Sequence, residues 1–218
     1  MKVMYIAPRF HTNQAAVVKG WIEQDDEVVF VSYYASIIED YSSIHPVVLG
    51  FAPFFELVDK LYMEVLHRGD MAASNFKINY GVPPVLKLRK LIKEWKPDVM
   101  ILRDRTLYSI AAYLLGRKSK RILYNQSPIW DNPPKQDWKH RIVRRLTPQY
   151  RMTPVMGRKE PGKIIAEHSY FIPFVVEPSI SPEEKKYFKD GCINILCIGK
   201  FVPRKHHTML MDVVSELA

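Results

Sequence analysis

Short apolar runs and amphipathic segments take turns along this chain. KVMYIA at 2–7 reads as a buried strand, and Pro8 stops it. RFHTNQ follows as a loop in which Thr12 or Asn13 can cap a helix. Val17, Val18, Trp21 and Ile22 then recur at helical spacing, and Asp25 and Asp26 lead into EVVFVS, a second strand. The short connections predict a parallel pair with a right-handed crossover. HPVVLG at 45–50 reads as a third strand. FFELVDKLYMEVL at 54–66 reads as a helix apolar around so much of its girth that burial or a covering surface is expected. Residues 67–83 are expected to form a loop.

The pattern is sharper afterwards. Val85, Leu88, Leu91, Ile92 and Trp95 make one helical face, with lysines and Arg89 on the other; Pro97 ends that helix and DVMIL follows as a strand. LYSIAAYLLG predicts a helix stopped by Gly116, and RILYNQ another strand. A basic helix is expected at 135–146. RMTPVMG and the stretch around IIAEHSYFIPFVVEP read as two closing strands, and SPEEKKYF as a connector helix capped by Ser181. INILCIGKFVPRKHHTMLMDVVSELA, residues 193–218, is again strand, loop and helix. Strands alternating with helices imply an α/β fold: a Rossmann-like doubly wound sheet covered on both faces.

Charge changes this picture more than composition does. An apolar share of 47% and a charged share of 25% are ordinary for a globular chain of 218 residues. The formal net charge of +9 is unevenly placed, however. Residues 84–163 hold twenty Lys/Arg against six Asp/Glu, which leaves the rest of the chain negative. Such a concentration attracts phosphate, nucleic acid or an anionic leaflet. Cys192 and Cys197 form no disulfide framework, which favours a reducing compartment. The longest apolar stretch, VVLGFAPFFELV, is interrupted by Gly50, Pro53 and Glu56, so no bilayer span is expected.

Two common nucleotide motifs are missing. A dinucleotide fingerprint needs glycines straight after the first strand, yet the first glycine is Gly20, inside the first helix. GKF at 199–201 lacks both the glycine-rich run and the hydroxyl of a P-loop. The strongest local feature is GKFVPRK, in which Gly199 follows a strand and Lys200, Arg204 and Lys205 crowd the loop before a helix. Amide N–H groups at that helix start and the lysines would favour a diphosphate. The plainer reading is a solvated basic turn.

ILCIGKFVPRKHHTML resembles the start of the second domain of retaining GT-B glycosyltransferases, in particular the large family numbered four. There a strand is followed by G-R-x-x-x-x-K and a helix. Lys200 stands in the arginine place and Lys205 in the lysine place. The resemblance implies that Gly199, Lys200 and Lys205 meet the diphosphate of a nucleotide-sugar donor. Lysine for arginine keeps the charge but loses the bidentate fork. It also implies a layout: residues 1–176 as an acceptor-side Rossmann-like domain, 177–192 as a connector, and 193–218 as the first strand and helix of a truncated second Rossmann-like domain. The chain is then expected to be a fragment of a roughly twice-longer enzyme, inactive alone, with its catalytic groups unassigned. Ile172-Pro173-Phe174-Val175-Val176 stands where relatives carry I-P-N-G-V, and RFHTNQ lacks the glycine pair of their first loop.

Open α/β sheets bind ligands at the carboxyl ends of their strands. His11, Thr12, Asn13 and Gln14 follow strand one there. Arg103, Asp104 and Arg105 end another strand, where they can hold acceptor hydroxyls or phosphate, or form a surface ion network. Asn125, Gln126 and Ser127 end a third; the resemblance implies a sugar-facing histidine near this level, none stands at 124–128, and the role has either moved or falls to Gln126. His206 and His207 read as capping or surface groups, because no metal-ligand spacing accompanies them; no metal and no cofactor is expected.

In KQDWKHRIVRRLTPQYR at 135–151, Trp138, Ile142 and Leu146 form an apolar stripe among Lys135, Lys139, Arg141, Arg144 and Arg145. This is similar to an interfacial helix drawn to anionic lipid, although a helix docked on its own domain fits the same pattern. No nucleic-acid motif is present. The expectation is a cytoplasmic, peripherally membrane-bound enzyme of polysaccharide biosynthesis, moving sugar from a nucleotide sugar to a glycan or lipid-linked acceptor. The alternative is a non-catalytic binding or assembly subunit whose cleft a partner chain completes.

Overall fold

The computed structural model describes residues 1–35, 42–66, 76–103, 106–125, 138, 145–146, 150–153, 169–172 and 206–217. The chain divides into two compact units, Met1–Val176 and Glu177–Ala218. The first carries β1 (Lys2–Ala7), α1 (Thr12–Glu23), β2 (Glu27–Ser32), β3 (Val47–Val48), α2 (Pro53–Leu66), α3 (Val85–Trp95), β4 (Val99–Arg103), α4 (Leu107–Leu115), β5 (Lys120–Tyr124), β6 (Arg151–Thr153) and β7 (Ser169–Phe171). The second carries α5 (His207–Leu217).

The seven strands form one sheet in the order β3-β2-β1-β4-β5-β6-β7, and every neighbouring pair is parallel. This is a Rossmann-like α/β domain with a parallel sheet. Strand order reverses between β1 and β4, whose register pairs Val3 with Val99 and Ile6 with Leu102.

Period-two alternation sorts side chains to the two faces. Met4, Ile6, Val31, Tyr33, Met100, Leu102 and Leu123 pack with Leu88 and Ile92 of α3 and with Tyr108, Ala112 and Tyr113 of α4. On the other face, Val3, Tyr5, Ala7, Phe30, Ile101 and Tyr124 pack with Phe10 and with Val18 of α1. Fully burying one such side chain contributes about 1.5–3 kcal/mol. The helix of β1 and the helix of β4 thus lie on opposite faces, so the two connections part at the switch point.

Local chemistry sets the element ends. Lys96 closes α3 in the left-handed conformation, φ 51°, with its N–H donating to the Ile92 carbonyl. Thr106 caps α4 by accepting from the Ser109 N–H at 3.0 Å. At the far end of α4, Arg121 of β5 lies 4.0 Å over the Tyr113 ring and donates to the Tyr113 carbonyl at 2.9 Å.

Three expectations change. First, residues 76–80, inside the expected loop, form a helical turn. Phe76 stacks on Tyr62 at 4.1 Å and 6° and on Phe55 at 5.7 Å, and Lys77 pairs with the buried Asp59 at 3.0 Å, so packing on α2 selects the turn. Second, α2 buries Phe55 and Asp59 but leaves Phe54, Leu57, Val58, Leu61 and Val65 exposed among the described residues. Third, α1 begins at Thr12, which puts His11 at the capping position. The His11 carbonyl accepts from the Gln14 N–H at 2.7 Å, and Gln14 Oε1 accepts from the His11 N–H at 2.9 Å. A glutamine three residues in reaches back to the capping position, as in one half of a capping box.

In the second unit, His206 takes φ 53° and its carbonyl accepts the Leu210 N–H at 3.1 Å, opening α5, while His207 is buried. The strand expected at 193–198, the connector helix and most of 135–151 lie outside the described residues. No described helix is long and apolar enough to cross a membrane.

Candidate functional site

Because all seven strands are parallel, their carboxyl ends form one rim. At the switch point this rim is built by the segment after β1, residues 8–11, and by the end of β4 at Arg103 leading to Thr106. Helix α1 begins at Thr12, just after the first segment, and α4 begins at Leu107, with Thr106 as its cap. Amide N–H groups at helix starts carry partial positive charge.

The β1 segment is anchored from beneath. Phe10 is buried and meets Phe30 edge-on at 4.8 Å, while Phe30 stacks on Tyr5 at 5.1 Å. Burying Phe10 leaves Arg9 and His11, on either side of it, half-buried at the rim. Gln14, almost fully buried, joins the His11 N–H to the Tyr5 side chain. Tyr5 also meets Tyr124 at the end of β5, ring centroids 6.0 Å apart.

The β4 segment is anchored by hydroxyls. Tyr33, one residue past β2, places its phenolic oxygen 2.9 Å from Thr106 Oγ1 and 3.2 Å from Ser109 Oγ. Thr106 Oγ1 donates to Ser109 Oγ at 2.9 Å. The Tyr33 ring stacks on Tyr108 at 3.9 Å and 10°.

Arg103 is the electrostatic centre of this rim. It is half-buried at the last position of β4, and its charge acts on both Tyr5 and Tyr33, which sit on opposite faces of the sheet. Burial is the main influence on both phenols. It pushes Tyr33 up to about 12 and Tyr5 further, and the nearby guanidinium opposes the shift in each. The phenols therefore stay neutral at ordinary pH and add no negative charge beside Arg103. Such a site can hold a phosphate or orient hydroxyls.

Of the residues singled out in the sequence, Arg103 ends β4 and His11 lies four residues past the end of the neighbouring β1. Thr12 and Asn13 open α1, with the helix beginning at Thr12. Asn125 is buried at the end of β5, its N–H donating to the Met152 carbonyl at 2.9 Å. Asp104, Gln126, Gly199, Lys200 and Lys205 lie outside the described residues. Sequence reasoning missed Arg9, Tyr33, Thr106 and Ser109. The spacing of Thr106 and Ser109 ahead of an apolar helix was the available signal for a cap. Tyr33 gave none, since an aromatic at a strand end reads as core. Among the described residues, no group of three His, Cys, Asp or Glu side chains could hold a metal ion.

No protein-family model matches the chain, and no curated protein matches it. Solved structures with a similar course exist. Spinosyn forosaminyltransferase SpnP is 12% identical with a TM-score of 0.47, over 84% of this chain and 53% of that one. The UDP-GlcNAc 2-epimerase from Methanocaldococcus jannaschii is 15% identical with a TM-score of 0.35, over 71% and 40%. Glycosyltransferase VinC, in complex with dTDP, is 15% identical with a TM-score of 0.33, over 68% and 39%. The chain spans about half the length of the first of these and less of the others. At such identities and scores they bear on neither substrate nor chemistry, and the Rossmann-like assignment stands on the strand pairing itself.

Proposed function

We propose that this chain supplies the acceptor side of a glycosyl-transfer enzyme, moving a sugar from a nucleotide-sugar donor to a glycan or lipid-linked acceptor. The observation that supports the reading is the switch point between the parallel strands β1 and β4, whose carboxyl ends are followed by Arg9 and His11 and closed by Arg103. Transfer from a nucleotide sugar requires an oriented acceptor hydroxyl and stabilisation of the leaving diphosphate. On this reading His11, Thr12, Asn13, Arg103, Asp104 and Gln126 hold the acceptor. Gly199, Lys200 and Lys205 meet the donor diphosphate, at the start of a second domain laid out as 177–192 connector and 193–218 first strand and helix. The basic segment 135–151 meets anionic lipid at the cytoplasmic face, which suits a lipid-linked acceptor.

Binding decides this reading. The chain, and any longer polypeptide that contains it, is screened with UDP-, dTDP-, GDP- and ADP-sugars for protection against thermal unfolding. At least one nucleotide sugar is expected to protect. Lys205→Ala should abolish that protection, whereas Arg103→Gln should leave it and weaken acceptor binding instead. Absence of protection by every nucleotide sugar in the longer polypeptide would sink the proposal.

A further inference from the structure

Tyr33 touches both walls of the switch-point rim, although it belongs to neither. Its N–H donates to the Pro8 carbonyl at 3.1 Å and lies 3.3 Å from the Ala7 carbonyl, and the Tyr34 N–H adds a bond to Pro8 at 3.2 Å. The backbone of Tyr33 thus fixes the segment after β1. Its side chain fixes the other wall, through Thr106 and Ser109 in the first turn of α4 and through the ring of Tyr108.

The directions of these hydrogen bonds follow from counting protons. Thr106 Oγ1 gives its single proton to Ser109 Oγ and accepts from the Ser109 N–H. It has none left for Tyr33, so the Tyr33 hydroxyl donates to Thr106. Ser109 Oγ then has one proton, and the Tyr33 oxygen at 3.2 Å is placed to receive it. The three hydroxyls close a ring in which each donates once and accepts once. All three residues are 1% exposed or less, so no solvent competes.

We propose that Tyr33 is a positioning residue for the rim: through this hydroxyl ring it sets the α4 amino end, and the Arg103 that precedes it, against the segment after β1. The proposal rests on the reading of that rim as the ligand site. A geometry set by neutral hydroxyls is rigid yet adds no charge beside Arg103. Removing the phenolic oxygen leaves the stack on Tyr108 and the backbone bonds to Pro8 in place, so only the coupling between the walls is lost.

Two variants of the full chain test this, Tyr33→Phe and Thr106→Val, with Thr106→Ser as the rescue that keeps the ring. The first readout is amide hydrogen exchange and needs no ligand. Residues 106–110 should exchange about tenfold faster in Tyr33→Phe, while β1, β4 and α3 keep their protection. The second is titration with inorganic pyrophosphate, standing in for the phosphate of a lipid-linked acceptor, followed by amide shifts at 9–11 and 106–108. Its affinity should fall about tenfold in either variant, no further in the double variant, and not at all in Thr106→Ser. Unchanged exchange at 106–110, or a loss spread evenly over the sheet, overturns the positioning role. If exchange changes as stated but pyrophosphate moves no rim amide in the unaltered chain, the clasp stands and the ligand reading of the rim fails.

Discussion

Consider titrating the chain from pH 9 to pH 12 while measuring its resistance to urea. Burial holds the Tyr33 phenol up at about 12, against an ordinary value near 10. The charge of Arg103 pulls the other way and is outweighed. The folded chain therefore holds this proton more tightly than the unfolded chain. The stabilisation is fully present below pH 10 and is lost as pH rises through the window from 10 to 12. Linkage puts the loss at about 1 kcal/mol by pH 11 and about 3 kcal/mol once both states are ionised. Burial also raises Tyr5, Tyr108 and Tyr113, so the whole chain should lose stability more steeply than one phenol explains. Tyr33→Phe isolates the share of Tyr33. The gap in unfolding free energy between the unaltered chain and the variant should narrow by about 1 kcal/mol between pH 9 and pH 11. Urea unfolding followed by near-ultraviolet circular dichroism measures that gap at each pH. A gap that stays constant across this range would refute the reasoning, because the Tyr33 proton would then be no better held in the folded chain than in the unfolded one.

Glycines supply an opposed pair of predictions. A Cβ at Gly20, inside α1, meets nothing within 4 Å, so Gly20→Ala should raise stability by up to about 1 kcal/mol. A Cβ at Gly81 would collide with the Lys77 carbonyl oxygen and the Phe51 ring, so Gly81→Ala should cost about 1–3 kcal/mol in a thermal melt. Gln14→Ala removes the acceptor for the His11 N–H and should cost about 1 kcal/mol, visible as faster exchange of the His11 amide.

The middle of the sheet was legible in the sequence because its strands are five or six residues long and buried, so β1, β2, β4 and β5 read directly as apolar runs. The edges were harder to read. β3 has two residues and β6 and β7 three each, too short for periodicity to fix their limits. The helical turn at 76–80 was hidden for another reason: Phe76 and Tyr80 acquire meaning only through Tyr62 and Phe55, which come from α2. At the site, His11 and Arg103 could be named because strand ends are visible in sequence. Tyr33 could not, since it lies 73 residues from Thr106 and nothing local links them. Which strands neighbour one another decides that contact, and strand order is not written in any one segment.

The sheet order also has a consequence for synthesis. β1 leaves the ribosome first, yet it is central, with β2 on one side and β4 on the other. β2 follows it closely, whereas roughly 70 residues separate the end of β2 from the end of β4, several seconds of elongation at typical rates. During that interval the edge of β1 that will receive β4 is bare. Past Lys2, its VMYIA run carries no charged or proline residue to deter a foreign strand. The interval before Arg103 emerges is therefore when the nascent chain most needs a chaperone.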